Sequence, residues 1–419
     1  MTRIVTLILL CLCLLVILLL PLPALAENGQ TVTSSSAETD FPLRLIFDIS
    51  VESNALIDDI RLHYTIERLA HAQVTSEIYL QFTPANSVDA EWIWDMRKTG
   101  GLPPGSSATY WWTVSDEDGK STKTAPATIH IEDERYEWDS ITEGNIILYW
   151  YEGSDNFAGE LMEATQESLS RLADNTGAEL EGTIKIYIYA NSQDLQGSMI
   201  YPQEWTGGVA FTQYGVIAIG IQPTEGGLEW GKRVIAHELT HLVIHRVTFS
   251  PYSGIPTWLD EGLAVSAEGD LDHAFVAALD IAEEQDDFIT VRSLSSPFSA
   301  YAGESILAYA ESYKIVSYLI NEYGREKMFD LLNTFQQGAG YDEALENVYG
   351  FDMDELHERW LDYFYPDRVD VVDTATPTTV TPLESSSQNT VLWMLVGFAG
   401  GFILVIALFV VRRAWRKRS

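Results

Sequence analysis

Cysteine is almost missing from this chain. Its 419 residues include only Cys11 and Cys13, both inside the first apolar run, and neither has the small neighbours of a lipoprotein cleavage site. Without that run no disulfide framework and no thiolate metal site is possible. Cations are scarce too, with 25 Lys and Arg against 61 Asp and Glu. Arg3, Arg412, Arg413, Arg416, Lys417 and Arg418 sit at the two ends, so the stretch from Glu27 to Glu384 holds 19 basic and 61 acidic residues, a net charge of −42. Such a surface repels phosphates and anionic lipid, which excludes nucleic acid as a partner. Its simplest reading is a solubility device. No internal repeat and no sortase-type L-P-x-T-G is present.

Long apolar runs occur only at the ends. Residues 1–26, MTRIVTLILLCLCLLVILLLPLPALA, combine one positive charge, a run to Leu20, a Pro-containing break and Ala24-Leu25-Ala26. That is the pattern of a signal peptide cut after Ala26. Residues 391–411 are 21 uncharged, mostly apolar residues, enough to span a bilayer as a helix. RRAWRKRS (412–419) follows, and its charge predicts a cytoplasmic tail. The expected location is therefore the plasma membrane, single-pass, with the bulk of the chain outside. A Thr-, Ser- and Pro-rich stalk (367–390) precedes the span.

Between the ends two folded regions are expected, after a polar lead-in at 27–40. From 41 to 133, LRLIFDISV, DIRLHYTIE, EIYLQF, ATYWWTV and ATIHIED read as short strands separated by turn clusters. The pattern predicts an all-β sandwich of the immunoglobulin or fibronectin III kind. DEDGKS in this region reads as a hairpin turn, since the twelfth position from Asp116 is Ala127 where a calcium loop needs Glu. From 134 to 366 an α+β domain is expected. NIILYWY and TIKIYIY are strands around an amphipathic helix, GGVAFTQYGVIAIGI (207–221) is a hairpin, and helices follow.

The chemistry is concentrated in HELTHLVIH (237–245). On a helix, His237 and His241 are four apart and project from one face, so both imidazoles reach a single zinc ion. Glu238 is angled toward the space a zinc-bound water would occupy, where it serves as general base. A catalytic zinc needs a third protein ligand and an open position. Glu261, twenty residues after His241 on the first turns of a helix opened by Pro256, supplies that carboxylate. His245 is rotated off the ligand face. Lys232, Arg233 and Arg246 flank the motif, which excludes an intramembrane protease.

H-E-x-x-H followed by Glu at this distance resembles the gluzincin metallopeptidases. WLDEGLA is similar to the W-L-N-E-G-F-A stretch of the M1 aminopeptidases, and AYAESYKIVSYLINEYG (308–324) is similar to the next helix of the peptidase MA-like family. The resemblance covers about 140–365 and implies zinc ligands His237, His241 and Glu261 with Glu238 as base. Some gluzincins orient the first His with an Asp four residues after the Glu ligand. Here that position is Val265, leaving Asp260 or Glu304 for the role. Tyr309 and Tyr313, four apart, are candidate oxyanion donors or plain core aromatics. The strand VIAIGI (216–221) is a candidate edge for pairing with a substrate backbone, and Gly207 and Gly208 permit close approach.

The expected function is an exported, membrane-anchored zinc peptidase acting on peptides or proteins. The alternative is a catalytically silent binding module on the same scaffold, with the β-sandwich as its interaction domain. An intact general base favours the first. Substrate, exo- or endo-cleavage and oligomeric state are not legible.

Overall fold

The computed structural model describes residues 29–69, 73–178, 182–202, 206–299 and 302–367. The signal peptide, the span at 391–411, the basic tail and nearly all of the stalk lie outside these residues. Among the described residues no helix is long and apolar enough to cross a membrane.

The N-terminal region is β-rich. Seven antiparallel strands form it: β1 (Gln30–Asp40), β2 (Arg44–Ile66), β3 (Thr75–Tyr79), β4 (Ala85–Asp95), β5 (Ser106–Asp116), β6 (Ser121–Lys123) and β7 (Ala127–Ile131). The expectation of two stacked sheets is modified by β2. This 23-residue strand pairs with β1 and β4 through its first half and with β3 and β5 through its second, so all seven strands belong to one hydrogen-bonded network. Register shifts between Glu52 and Asp59 mark the change of partners. Burial switches there from odd positions (Leu45, Phe47, Ile49, Val51) to even ones (Ile60, Leu62, Ile66), and both halves feed one core around Trp112. The lead-in at 27–40 is also corrected, because residues 30–40 are β1. Its Ser and Thr run is polar on both faces, so no buried alternation announced the strand. The Asp116–Lys120 turn is the expected hairpin, closed by Asp116 N–H to Lys120 O at 3.1 Å.

The second region opens with a five-stranded sheet in the order β11 (Gly208–Phe211), β12 (Val216–Gly220), β10 (Ile184–Tyr189), β9 (Ile146–Trp150), β8 (Asp139–Glu143). The inner three strands run parallel and the two edges antiparallel. Helix α1 (Asp155–Thr176) makes the crossover from β9 to β10; Ser154 caps its first turn and Gly177, at φ 71°, ends it. After the short α2 (Ser192–Gln196) and the β11–β12 hairpin the chain is helical. It forms α3 (Glu225–Val247), α4 (Thr257–Ala267), α5 (His273–Gln285), α6 (Val291–Leu294), α7 (Ala302–Gln336, interrupted at Gly324), α8 (Tyr341–Tyr349) and α9 (Met353–Phe364). One sheet face (Ile146, Leu148, Ile184, Ile186, Ile217, Ile219) packs against α1 and α3 in the large core. The other carries Tyr149, Tyr187 and Tyr189, which pack with Tyr136 and Trp138. This second face meets the β-rich region, where Lys185 Nζ donates to Gly105 O at 2.7 Å and Tyr189 Oη to Asp133 at 2.8 Å.

Candidate metal centre

Helix α3 is built to lie inside the molecule with one stripe open. Thr224 caps its first turn, its hydroxyl accepting from Gly227 N–H at 3.1 Å. Gly231, Ile235, Ala236, Leu239, Thr240, Leu242, Val243 and Ile244 are buried. Of its accessible side chains, Trp230, Arg233, Val234, His237, Glu238, His241 and His245 lie along one face. Helix α4 crosses this face and brings Asp260 and Glu261 with it. Gly262 allows α4 to rest on α7, because a Cβ there would collide with the carbonyl oxygen of Ser312.

His237, His241 and Glu261 each bring one ligand atom to within 4.8 Å of the others. The two Nε2 atoms lie 3.4 and 3.5 Å from the same oxygen, Glu261 Oε2. That oxygen is buried and has no hydrogen-bond partner. The outward ring nitrogens are held by carboxylates. His237 Nδ1 is 2.9 Å from Glu268 Oε1, and Glu268 in turn accepts from Arg233 at 3.1 Å. His241 Nδ1 is 2.9 Å from Asp260 Oδ1, while Asp260 Oδ2 is 2.8 Å from His245 Nε2. Both rings therefore turn Nε2 toward the shared point, the arrangement that outer carboxylates impose on metal-binding histidines.

Four of the sequence-derived residues thus converge. Of the two candidates for orienting the first His, Asp260 orients the second, and the side chain of Glu304 lies outside the described residues. The first is held by Glu268, which sequence reasoning missed. The available signal was spacing, since Glu268 is seven residues after Glu261 and so two turns along the same face. His245, off the ligand point as expected, supports Asp260.

The charges respond to one another. Burial opposes protonation of His237, but Glu261 and Glu268 outweigh it and raise its pKa to about 9. His241 is likewise raised against burial by Asp260 and Glu261. Burial opposes ionisation of Glu261, yet the two imidazoles hold it down at about 2. The pocket is thus a carboxylate field that holds positive charge, and a divalent cation is the natural occupant once the imidazoles give up their protons. Glu238 is raised by burial, an effect partly offset by the histidines.

The sheet edge beside Glu238 is β11, which corrects the expectation for 216–221. Those residues form β12, enclosed between β11 and β10. Gly220 N–H donates to Gly207 O at 2.9 Å, and the register pairs Val209 with Ala218 and Phe211 with Val216. Positions 207, 209 and 211 therefore bond toward β12, while the peptide groups of Gly208 and Ala210 face the open edge. A Cβ at Gly208 would stand 2.9 Å from Glu238 Oε1, so this glycine makes room for the carboxylate. Tyr309 and Tyr313 border a small cluster of Val265, Phe275, Leu279 and Ala310. The Tyr309 phenol is raised by burial and by the carboxylates of Glu261, Glu238, Glu268 and Asp260.

Two histidines one helical turn apart, a carboxylate from the next helix and a glutamate between them define a metal-site architecture. Residues 164–366, just under half of the chain, match the family model of the peptidase MA superfamily. No curated protein matches the chain. Among solved structures, a yeast LTA4 hydrolase in complex with bestatin is 11% identical, with 85% of this chain and 67% of that one covered at a TM-score of 0.33. A catalytically inactive OgpA from Akkermansia muciniphila, in complex with an O-glycopeptide substrate, is 11% identical over 25% of this chain at a TM-score of 0.20. This chain covers 29% of that protein, less than a third of its length. The third fibronectin III domain of a human protein is 8% identical over 27% of this chain and 93% of its own, at a TM-score of 0.19. Likenesses of this size assign neither fold nor activity.

Proposed function

We propose that this chain is a zinc-dependent peptidase hydrolysing peptide bonds in peptides or proteins, with His237, His241 and Glu261 as metal ligands and Glu238 as general base. One observation carries the reading: the buried, unpartnered Glu261 Oε2 between two inward-facing Nε2 atoms. Without a cation that oxygen is compensated only by long contacts to the two imidazoles, and a cation at that point takes their place. Two imidazoles and one carboxylate are a donor set that suits zinc and leaves a position open.

When bound, zinc polarises the scissile carbonyl. The chain's own residues do the rest. Glu238, its pKa raised by burial, takes a proton from the attacking water and returns it to the leaving amine. The Gly208 peptide group and the Ala210 carbonyl pair with the substrate backbone as an added strand, while the Ala210 N–H is engaged by Glu238. The Tyr309 phenol keeps its proton at neutral pH and donates to the developing oxyanion, while Tyr313 serves packing. The location proposed is the outer face of the plasma membrane, supported by the leader at 1–26 and the apolar run at 391–411. The β-rich region, read as an immunoglobulin- or fibronectin-III-type module, acts as a spacer or restricts access.

The test is cleavage of a diverse peptide mixture by the zinc-loaded full-length protein, read by mass spectrometry beside Glu238→Gln and a chelated sample. Wild type alone yields fragments, and Glu238→Gln loses at least about 10²-fold in rate while keeping its zinc. Bound zinc with no cleavage would instead favour the silent binding module.

A further inference from the structure

The open stripe of α3 does not end at the metal ligands. Trp230 lies on the same face seven residues before His237, in the open first turns of the helix, with 42% of its surface exposed. Its ring lies against the backbone of β11, since a Cβ at Gly207 would stand 3.0 Å from both Cζ2 and Cη2 of the indole. Gly207 thus leaves space for the indole as Gly208 leaves space for Val234 and Glu238. Gly207, just before β11, faces the indole, and the adjacent Gly208 faces Val234 and Glu238. An extended peptide paired with that edge passes both Glu238 and the indole.

We propose that Trp230 forms an apolar specificity subsite that takes a large aliphatic or aromatic side chain of the peptide substrate. The inference rests on the peptidase reading above. Gly207 and Gly208 are adjacent, so the side chain in question occupies one fixed position near the scissile bond. The indole is the one large apolar side chain on this stripe. Its neighbours Arg233, Glu268 and Asp272 are committed to one another at 3.1 and 3.5 Å, so recognition at this end is by apolar burial rather than by charge.

The experiment compares the full-length zinc-loaded protein with Trp230→Ala, Trp230→Phe and Gly207→Ala on the same peptide mixture, with zinc content measured for each. Wild type shows a preference for large apolar residues at one fixed position near the cut. Trp230→Ala flattens that preference, lowering the ratio of aromatic to alanine peptides cut by about tenfold. Trp230→Phe keeps most of it, and Gly207→Ala changes it by displacing the ring. Zinc content near one per chain in all four shows that the centre is intact. An unchanged preference in Trp230→Ala overturns the subsite while leaving the peptidase reading standing. A wild type that binds zinc and cuts nothing overturns both.

Discussion

Two carboxylates are buried in the two halves of this molecule and meet opposite fates. In the β-rich region Asp116 is 4% exposed and fully served: Gln30 Nε2 donates at 2.9 Å, Lys120 N–H at 3.1 Å and Ser53 Oγ at 3.4 Å. Its pKa is lowered, chiefly by the Gln30 hydrogen bond. In the helical region the Glu261 side chain is 19% exposed, but its Oε2 is buried and faces two imidazole nitrogens at 3.4 and 3.5 Å. A buried carboxylate oxygen is costlier to leave without a donor than a neutral group, so this one points to a cation. Neutral polar atoms without a partner occur in both regions, among them Gln30 Oε1 and Trp112 Nε1 in the first and Trp258 Nε1 and Trp360 Nε1 in the second. Among the described residues the carboxylate oxygen left in this state is Glu261 Oε2, and it faces H-E-x-x-H.

The contrast can be broken most severely at Glu261. Glu261→Ala is expected to abolish zinc retention, weakening it by more than any outer substitution, and to abolish peptide cleavage with it; equilibrium dialysis against zinc measures this. The next effect is on the outer carboxylates. Glu268→Ala frees His237 Nδ1 and Asp260→Ala frees His241 Nδ1, and each should weaken zinc by about 10–100-fold. If the same titrations gave wild-type affinity for both, the orientation role drawn from the 2.9 Å contacts would be wrong. The smallest expected effect is a pH slope. Glu311 is fully buried on α7, both of its oxygens accepting from the Ile289 N–H at 3.1 Å, and burial raises its pKa from 4.5 to about 8. The folded state therefore prefers the protonated form. Stability falls as pH rises from about 4.5 toward about 8, by at most a few kcal/mol. Asp116 acts in the opposite sense, its contribution being present above its ordinary pKa and lost as pH falls. Thermal melts across that window should show Glu311→Gln reducing the decline toward alkaline pH. A slope identical to wild type would remove Glu311 from the explanation.

Much of the site was legible because it is local. His237, Glu238 and His241 sit on consecutive turns of one helix, and their relation follows from 3.6 residues per turn. Glu261 was legible through spacing and through W-L-D-E-G, whose glycine proves to be the contact that lets α4 rest on α7. What could not be read is what depends on packing between elements. Glu268 reaches His237 only because α4 crosses α3 at a particular angle, and Val265, the position expected to help, is 3% exposed in the core instead. The hairpin at 207–221 was read correctly, but which of its strands forms the edge depends on β10 pairing with β12 across a long gap in sequence. Strand β1 escaped notice because edge strands need no buried face. The course of β2 through two pairings likewise leaves only a change of parity in the sequence.

The most direct test is to load the full-length protein with zinc and record its X-ray absorption spectrum, with His237→Ala and Glu261→Ala beside it. The expected result is one zinc per chain, bound by two imidazole nitrogens and one carboxylate oxygen, with either substitution removing its ligand from the spectrum or the metal from the protein. A chain that binds no zinc, or binds it through ligands untouched by both substitutions, would contradict the assignment of this centre.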